Sequence, residues 1–281
     1  DGEIDFALFD DDGPDGIPNS GDDDGVVDAL FILLASAPTN FLLGSATGFG
    51  SLGFEGDFRT DDPGISGKSI RISADQGTIQ QGRNFAEGVG SMCHEYGHVL
   101  GLPDLYDTEF LSRQGAGPEE DSAGIGVWGL MGWGATGWSG GNGPNSFCAW
   151  SRARLGWSEV AEVNDVVEEV RLQSVGEGGR ICQVPLALDE YFLLEYRSRD
   201  SFYDRHIPGE GLLVWHVDRK TGRDVVDLEC ADGRFLDAGF PLGENPDSRR
   251  GGDNLDFWAH DADYARLHAG NLGDGTDPFD G

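Results

Sequence analysis

The sequence predicts an α+β fold with a mixed sheet and a loop-rich C-terminal part, because helix-like and strand-like segments do not alternate strictly along the chain. Three observations support this prediction. The apolar run VVDALFILL at residues 26–34 is rich in β-branched residues and is typical of a buried strand. Residues 85–100 repeat apolar side chains at intervals of three and four, which indicates a helix. From residue 166 onward, strand-like runs follow one another without a helical segment between them.

The first half of the chain contains one further strand and the helix itself. KSIRIS at residues 68–73 predicts a strand within a long loop-rich stretch. The recurring apolar residues of this helix are Phe85, Val89, Met92, Tyr96 and Val99 or Leu100. Gly101 can adopt the left-handed conformation that ends a helix.

The second half begins with a Gly- and Trp-rich stretch at residues 115–144, which is too irregular for helix or strand. NSFCAWSRARLGW at residues 145–157 predicts a second helix that stops at Gly156. The acidic, Gly-rich tail from Asp237 predicts loop. Four strand-like runs lie between: VVEEVRLQS (166–174), RICQVPLAL (180–188), YFLLEYRS (191–198) and GLLVWHVD (211–218).

Charge and hydropathy exclude several classes of partner. The chain has 51 acidic and 19 basic residues, a formal net charge of -32, so binding to nucleic acid or to anionic lipid is not expected. No run reaches the ~18 apolar residues that a membrane-spanning helix needs. Most of this charge can be a solvated surface suited to high salt, and part of it can be neutralised by bound cations.

The sequence alone does not decide whether the cysteines are oxidised. The chain has four of them: Cys93, Cys148, Cys182 and Cys230. They form no CxxC pair, which excludes a zinc ribbon, and their even number is compatible with two disulfides in any of three pairings. This favours an extracellular protein. The chain opens on an acidic loop without a signal peptide, so we expect a processed or partial chain.

The stretch MCHEYGHVLGLPD, residues 92–104, carries the clearest chemical signal. On a helix, His94 and His98 lie one turn apart on the same face, where two imidazoles can bind one Zn²⁺. Glu95 lies beside the first ligand, close enough to accept a proton from a water that the metal acidifies. Gly101 allows a sharp turn after the helix, so that Asp104 can return as a third ligand and leave one coordination position open.

A second motif, Trp128-Gly129-Leu130-Met131, follows within the Gly- and Trp-rich stretch. A zinc helix with a glycine turn and a later methionine turn resembles the metzincin clan of metallopeptidases. More narrowly, HEYGHVLGLPDLYD, WGLM, SRARLGW, YFLLEYR and GEGLLVWHVD in this order resemble the immune inhibitor A family of secreted bacterial zinc peptidases. The resemblance runs through most of residues 5–281.

The resemblance implies a single metzincin-like catalytic domain over residues 1–281. An upper subdomain (1–101) would end in the zinc helix, and a lower subdomain (102–281) would contain the methionine turn. Zinc would be held by His94, His98 and Asp104, with Glu95 as general base and Met131 as an apolar floor beneath the metal. Many metzincins have a third His where this chain has Asp104, so Glu195 is an alternative third ligand.

Other side chains are candidates for contact with the substrate. His216 is a lone histidine on an apolar strand, where it is either a hydrogen-bonded core residue or part of the substrate site. Tyr191, Tyr196 and Tyr203 could each donate a hydrogen bond to the oxyanion of a tetrahedral intermediate. The sequence does not choose among them.

The acidic loop DDDGPDGIPNSGDDDGVVD at residues 10–28 predicts a calcium site, because closely spaced carboxylates on glycine-rich turns suit a hard cation that prefers oxygen ligands. It lacks the helices and the final Glu of an EF-hand. A similar cluster lies in NLGDGTDPFDG (271–281), which the resemblance also implies is a calcium site. The candidate ligands are Asp10, Asp12, Asp15, Asp22, Asp24 and Asp28 in the first loop, and Asp274 and Asp277 in the second.

These observations predict a secreted, monomeric, calcium-stabilised zinc endopeptidase that acts on proteins or peptides. One alternative is a calcium-binding surface or adhesion module that keeps the fold without catalysis, but such a protein would be free to lose Glu95. A zinc exopeptidase is a second alternative. It needs an anchor for a substrate terminus, and no Arg or Glu cluster in the sequence suggests one.

Overall fold

The computed structural model describes most of the chain. Its described residues are 3–34, 47–82, 85–106, 124–138, 142–164, 169–219, 225–229, 231, 273, 275 and 277–280. Internal contacts divide the chain into two compact units, Asp1–Gly101 and Leu102–Gly281. The described residues form three sheets and two α-helices, in agreement with the predicted α+β class.

The first unit contains a three-stranded sheet and a two-stranded hairpin. Its strands are β1 (Leu30–Leu34), β2 (Thr47–Phe49), β3 (Phe58–Pro63), β4 (Ser69–Ile72) and β5 (Gly77–Gln81). Strand β5 is central, with β1 parallel on one side and β2 antiparallel on the other, while β3 pairs with β4. Strands β1 and β4 confirm the predictions at 26–34 and 68–73, although β1 is shorter than its apolar run. Strands β2, β3 and β5 were not predicted.

Helix α1 (Phe85–Val99) confirms the predicted helix. Of the apolar residues whose spacing predicted it, Val89, Met92, Tyr96 and Val99 are half-buried, and Leu100 is exposed. The buried positions are Gly88, Gly90, Ser91, His94, Glu95 and Gly97. The side of the helix that carries Glu95 and His98 lies close to Gly48 and Gly50, which have no side chains to keep it away.

The second unit contains helix α2 and a five-stranded sheet. Helix α2 (Ala149–Arg154) lies inside the predicted second helix, and Gly156 follows it with a φ of 69°. The strands are β6 (Val160–Glu162), β7 (Ile181–Ala187), β8 (Glu190–Arg197), β9 (Gly211–Asp218) and β10 (Val225–Glu229), in the order β10-β9-β8-β7-β6. All neighbours are antiparallel except β6 and β7.

Three of the four predicted late strands are confirmed as β7, β8 and β9. The prediction for residues 166–174 is wrong where the structure describes them, since residues 169–173 form no strand and Ser174 makes only an isolated bridge with Tyr196. Its alternation of polar and apolar residues fits a strand, but residues 169–171 and 173 are exposed, so the segment has no buried face that packs on a core. Strands β6 and β10 were not predicted, and most of the tail after Asp237 lies outside the described residues.

The core of the second unit lies under one face of the sheet. Along β9, Gly211, Leu213, Trp215 and Val217 are buried while the residues between them are half-buried. This alternation is the period-two pattern of a strand with one face on a core. The same core takes in Met131 and the side chains of helix α2.

A buried ion cluster crosses this core. The guanidinium of Arg197, which is 0% exposed, lies 3.3 Å from the Glu195 carboxylate and 3.0 Å from the Asp204 carboxylate. It also donates hydrogen bonds to the carbonyl oxygens of Trp128 (3.1 Å) and Phe147 (3.2 Å). Burial lowers the pKa of Arg197, but the two carboxylates outweigh this effect and raise the pKa above its ordinary value.

Cys93, Cys148 and Cys182 are free thiols, so the two disulfides that the cysteine count allowed are not formed. Burial raises the pKa of all three thiols. Cys230 lies outside the described residues. Among the described helices, none has the length and apolarity needed to cross a membrane.

Replacing Arg197 with Met should lower the free energy of unfolding by about 3–5 kcal/mol, because two buried carboxylates lose the guanidinium that forms ion pairs with them. Urea unfolding followed by tryptophan fluorescence measures this change. The control is Arg171→Met, which breaks an exposed ion pair with Glu169 and should cost less than about 1 kcal/mol. Equal losses in the two variants would contradict the prediction.

Candidate metal centre

The two histidines of the motif face each other across one turn of helix α1. The ring centroids of His94 and His98 are 5.0 Å apart, and the ring planes are nearly perpendicular, at 89°. His94 is buried, whereas about a quarter of the His98 side chain remains accessible at 25%. The pair therefore presents imidazole nitrogens to one point from two directions.

Gly101 ends the helix and allows the chain to return toward these histidines. Its φ is 87°, in the region that favours glycine, and its N–H donates to the carbonyl of His98 at 2.9 Å. The ligand atoms of His94, His98 and Asp104 all lie within 4.8 Å of one another. These three side chains would be the ones to hold a metal ion here.

Leu105, the residue after Asp104, makes two backbone hydrogen bonds to later segments of the chain. The N–H of Leu105 donates to the carbonyl of Met131 at 2.9 Å, and the carbonyl of Leu105 accepts from the N–H of Ile125 at 3.0 Å. Met131 is 0% exposed. The methionine turn therefore acts through its backbone, which fixes the chain beside the candidate third ligand.

Two side chains distant in sequence hold the methionine turn. Arg197 binds the carbonyl of Trp128, and the indole N–H of Trp128 donates to a carboxylate oxygen of Asp277 at 2.7 Å. Trp128 itself is fully buried. Arg197 was not singled out from the sequence; it lies on the same buried face of β8 as Leu193 and Glu195.

Glu195, the alternative third ligand, has other partners. It is 0% exposed, and its carboxylate accepts hydrogen bonds from the indole N–H of Trp215 at 2.9 Å and from Arg197. The group of potential ligands around the two histidines contains Asp104 and not Glu195, among the residues that the structure describes. The geometry thus favours Asp104.

Glu95 lies beside the histidines in a space that a glycine leaves free. It is 9% exposed, and one carboxylate oxygen is 4.0 Å from Nε2 of His98. A Cβ atom at Gly48 of strand β2 would lie 2.6 Å from the Glu95 Cγ. A Cβ atom at Gly50 would lie 2.7 Å from the Cβ of His98.

Gly48 and Gly50 therefore leave the space that Glu95 and His98 occupy, and neither glycine was singled out from the sequence. Both belong to the stretch TGFG at residues 47–50, which was assigned to a loop-rich region. Alternating glycines on a short strand can mark a close approach of another segment, and this signal was available in the sequence.

The candidate substrate residues His216 and Tyr191 lie on the sheet of the second unit. His216 Nε2 is 2.9 Å from Glu190, and His216 Nδ1 is 3.4 Å from Glu229. The Tyr191 hydroxyl accepts a hydrogen bond from Arg219 at 3.4 Å. His216 is thus a hydrogen-bonded residue of the sheet face, and a role for either side chain in substrate contact stays a prediction.

The acidic loop brings three of its six predicted calcium ligands together. Carboxylate oxygens of Asp10, Asp12 and Asp28 lie within 4.8 Å of one another. Asp15 and Asp22 instead bond to Ser20, and the Asp24 carboxylate accepts from the N–H of Val26 at 2.8 Å.

Two carboxyl groups of this loop, those of Asp10 and Asp28, have raised pKa values. Burial and the nearby Asp11 and Asp12 raise the pKa of Asp28 to about 6. Burial also raises the pKa of Asp10, which is 1% exposed, with Asp23 and Asp24 adding to the effect.

Asp277 of the second predicted calcium cluster contacts a tryptophan instead of other carboxylates. The Asp277 carboxylate accepts the indole N–H of Trp128, and Asp277 belongs to no group of three potential ligands within the described part of the chain. Asp274 lies outside the described residues.

Comparison with known families agrees with this geometry. The family model described as immune inhibitor A peptidase M6, catalytic domain, matches residues 3–158, more than half of the chain. The matched segment contains the histidine helix, Asp104 and the methionine turn, and it ends before strand β6. Searches of curated proteins and of solved structures return no match.

Replacing Gly50 with Ala should destabilise the protein by roughly 1–3 kcal/mol, because the new methyl group overlaps the Cβ of His98 and the backbone of helix α1. Gly21→Ala is the matched control, since a Cβ at Gly21 meets nothing within 4 Å. It should change stability by less than about 1 kcal/mol. Urea unfolding compares the two variants, and an unaffected Gly50→Ala protein would mean that the close approach is not required.

Proposed function

Because the chain belongs to the immune inhibitor A peptidase family M6, we propose that it is a zinc-dependent endopeptidase of metzincin-like fold that hydrolyses peptide bonds in proteins. Family membership shows that the chain is a metallopeptidase. The proposal of zinc as the metal and Glu95 as the base is supported by one observation, the convergence of His94, His98 and Asp104 with Glu95 beside them.

The donor set fits zinc better than the other common divalent cations. Two imidazoles and one carboxylate are typical ligands of catalytic zinc, whereas calcium and magnesium prefer oxygen ligands alone. Three protein ligands leave a coordination position for solvent or substrate, as catalysis requires. The partial exposure of His98 supports access to this position.

The chemistry divides between the metal and Glu95. When bound, zinc supplies Lewis acidity that polarises the scissile carbonyl and acidifies water. The Glu95 carboxylate then accepts the proton of the attacking water and delivers it to the leaving amine as the C–N bond breaks. Its burial against strand β2 restricts its rotamers, so the base stays directed at the reaction site.

Extracellular action also belongs to the proposal, on the basis of the resemblance to secreted peptidases. A non-catalytic adhesion module would not need Glu95 beside the two histidines, and no observation in the structure favours that alternative.

Replacing Glu95 with Gln should reduce hydrolysis of casein and of a peptide blocked at both ends by roughly 10²–10⁴-fold, because the variant keeps its size but loses the base. Zinc content, measured by elemental analysis, should not change. The control Glu162→Gln alters an exposed carboxylate of strand β6 and should keep full activity.

Two further measurements complete this test. Asp104→Asn should lower zinc occupancy, whereas Glu95→Gln should not. Cleavage of the blocked peptide distinguishes an endopeptidase from an exopeptidase. Wild-type activity that persists after complete zinc removal would rule out the proposed mechanism.

We also propose that Asp10, Asp12 and Asp28 hold a calcium ion. Three carboxylates at short mutual distance repel one another, and a divalent cation offsets this repulsion. The loop is closed at its base, where the N–H of Asp28 donates to the carbonyl of Phe9 at 2.9 Å, so the ligands are held together.

Calcium should therefore raise the melting temperature of the protein at fixed zinc concentration. An ion present at 100 times its Kd stabilises by about 2.7 kcal/mol. Asp28→Asn should weaken the response, whereas Asp75→Asn, outside the loop and exposed, should keep it. Thermal denaturation with and without calcium measures the effect, and an unchanged melting curve for the wild type would exclude the site.

A further inference from the structure

An open cavity of about 670 Å³ lies in the first unit, and none of its lining residues belongs to the candidate metal centre. Its size falls in the range of sites that bind small molecules. Two segments form its walls, the acidic loop and the hairpin of strands β3 and β4. Charged side chains of opposite sign face each other across it: Asp10, Asp23 and Asp24 from the loop, and Arg59, Lys68 and Arg71 from the hairpin.

Hydrogen bonds between the loop and the hairpin hold the two walls together. The side-chain oxygen of Asn19 accepts a hydrogen bond from the N–H of Ile65 at 2.7 Å. The N–H of Arg71 donates to the carbonyl of Gly25 at 3.0 Å, and the N–H of Val27 donates to the carbonyl of Arg71 at 2.9 Å. The cavity is therefore built into the fold, and a ligand would not have to order its walls.

The carboxylates of the acidic wall already have partners in the loop itself. The two carboxylate oxygens of Asp23 accept hydrogen bonds from the N–H groups of Gly13 at 2.9 Å and Ser20 at 2.6 Å. Asp10 and Asp24 also accept hydrogen bonds from backbone N–H groups, at 3.3 Å and 2.8 Å. A cation at the proposed calcium site would further offset the charge of Asp10. These acids shape the loop and do not require a ligand from the cavity.

The opposite wall carries positive charge that the described part of the chain does not pair. Arg59 and Arg71 are directly opposed in the register of β3 and β4, an arrangement that is unfavourable for two like charges. Arg71 forms an ion pair with Asp57. Among the residues that the structure describes, neither the Arg59 guanidinium nor the Lys68 ammonium forms an ion pair, although the chain has 51 acidic residues. The cavity therefore offers two unpaired cations to a ligand.

The donors of this wall suit a tetrahedral oxyanion. A guanidinium can donate two parallel hydrogen bonds to a phosphate or sulfate group, and an ammonium adds a third donor and a second charge. The hydroxyls of Ser66 and Ser69 also line the cavity. Because the cavity is larger than such an anion alone, it leaves space for the organic group that carries the anion, beside the exposed side chain of Ile65.

We propose that this cavity binds a small molecule that carries a phosphate or sulfate group, and that Arg59 and Lys68 bind the anion. The inference goes beyond the proposed peptidase function and does not depend on the metal centre. Ser66 and Ser69 add hydrogen bonds to the anion or to the group that carries it. Asn19 holds the hairpin in place next to the acidic loop.

Isothermal titration calorimetry on the full chain tests the proposal, in a calcium-containing buffer of fixed ionic strength. The probes are glucose 6-phosphate and glucose 6-sulfate, with glucose as the uncharged control. We expect saturable binding of a charged probe, one per chain, and no binding of glucose. The tighter of the two charged probes identifies the anion. If neither charged probe binds saturably, or if glucose binds equally well, the proposal is wrong.

Single substitutions then locate the site. Arg59→Gln and Lys68→Gln should each weaken binding of the charged probe at least about 10-fold, because each removes a charge-assisted hydrogen bond. Arg59→Lys should weaken binding less, since it keeps the charge but loses the paired donors. The control Arg171→Gln removes one positive charge from an exposed position that does not line the cavity, so it should leave the Kd unchanged.

The melting temperature of each variant without a probe shows whether it folds. Arg59 and Lys68 are exposed, so both Gln variants should melt within a few degrees of the wild type. Folded Arg59→Gln and Lys68→Gln proteins that keep the wild-type Kd would overturn the proposal. Equal weakening in these variants and in Arg171→Gln would also overturn it, because binding would then follow net charge and not this cavity. None of these measurements requires peptide hydrolysis, so they stand apart from tests of the peptidase.

Discussion

The close approach of helix α1 to strand β2 is the constraint on which the candidate metal centre depends. Glycines at positions 48 and 50 remove the side chains that would keep the helix away, and the space is filled by Glu95 and His98. The helix is therefore oriented with its polar side buried, an arrangement that costs stability unless these polar groups find partners. Burial also restricts the motion of the histidines and of the glutamate between them, as a preorganised site requires.

The other half of the centre is built from segments far apart in the chain. Asp104 follows the helix directly, but the chain beside it is fixed by the backbone of Met131, and the methionine turn is held by Arg197 and Asp277. The family match ends at residue 158. Two of the side chains that hold this metallopeptidase's turn in place thus come from the part of the chain beyond that match.

Local sequence signals predicted the candidate site better than they predicted the fold around it. The spacing of His94, His98, Gly101 and Asp104 depends only on helix periodicity and on one glycine turn, and the structure brings their ligand atoms together. The spacing of apolar residues identified the helix but not its buried side, because the contacts of Gly48 and Gly50 come from a segment not recognisable as a strand in isolation. Glu195 resembled a ligand in sequence, yet its partner Arg197 is visible only once strand β8 is placed against the core.

The hydrogen bonds of Trp128 join segments that are translated far apart in time. Its carbonyl oxygen accepts a hydrogen bond from Arg197, 69 positions later in the chain. Its indole N–H donates a hydrogen bond to Asp277, 149 positions later. A nascent chain that has exposed the histidine helix on the ribosome still lacks the residues that hold the methionine turn. A chain that ends before residue 277 therefore contains all three candidate metal ligands but lacks one of the two side chains that hold Trp128.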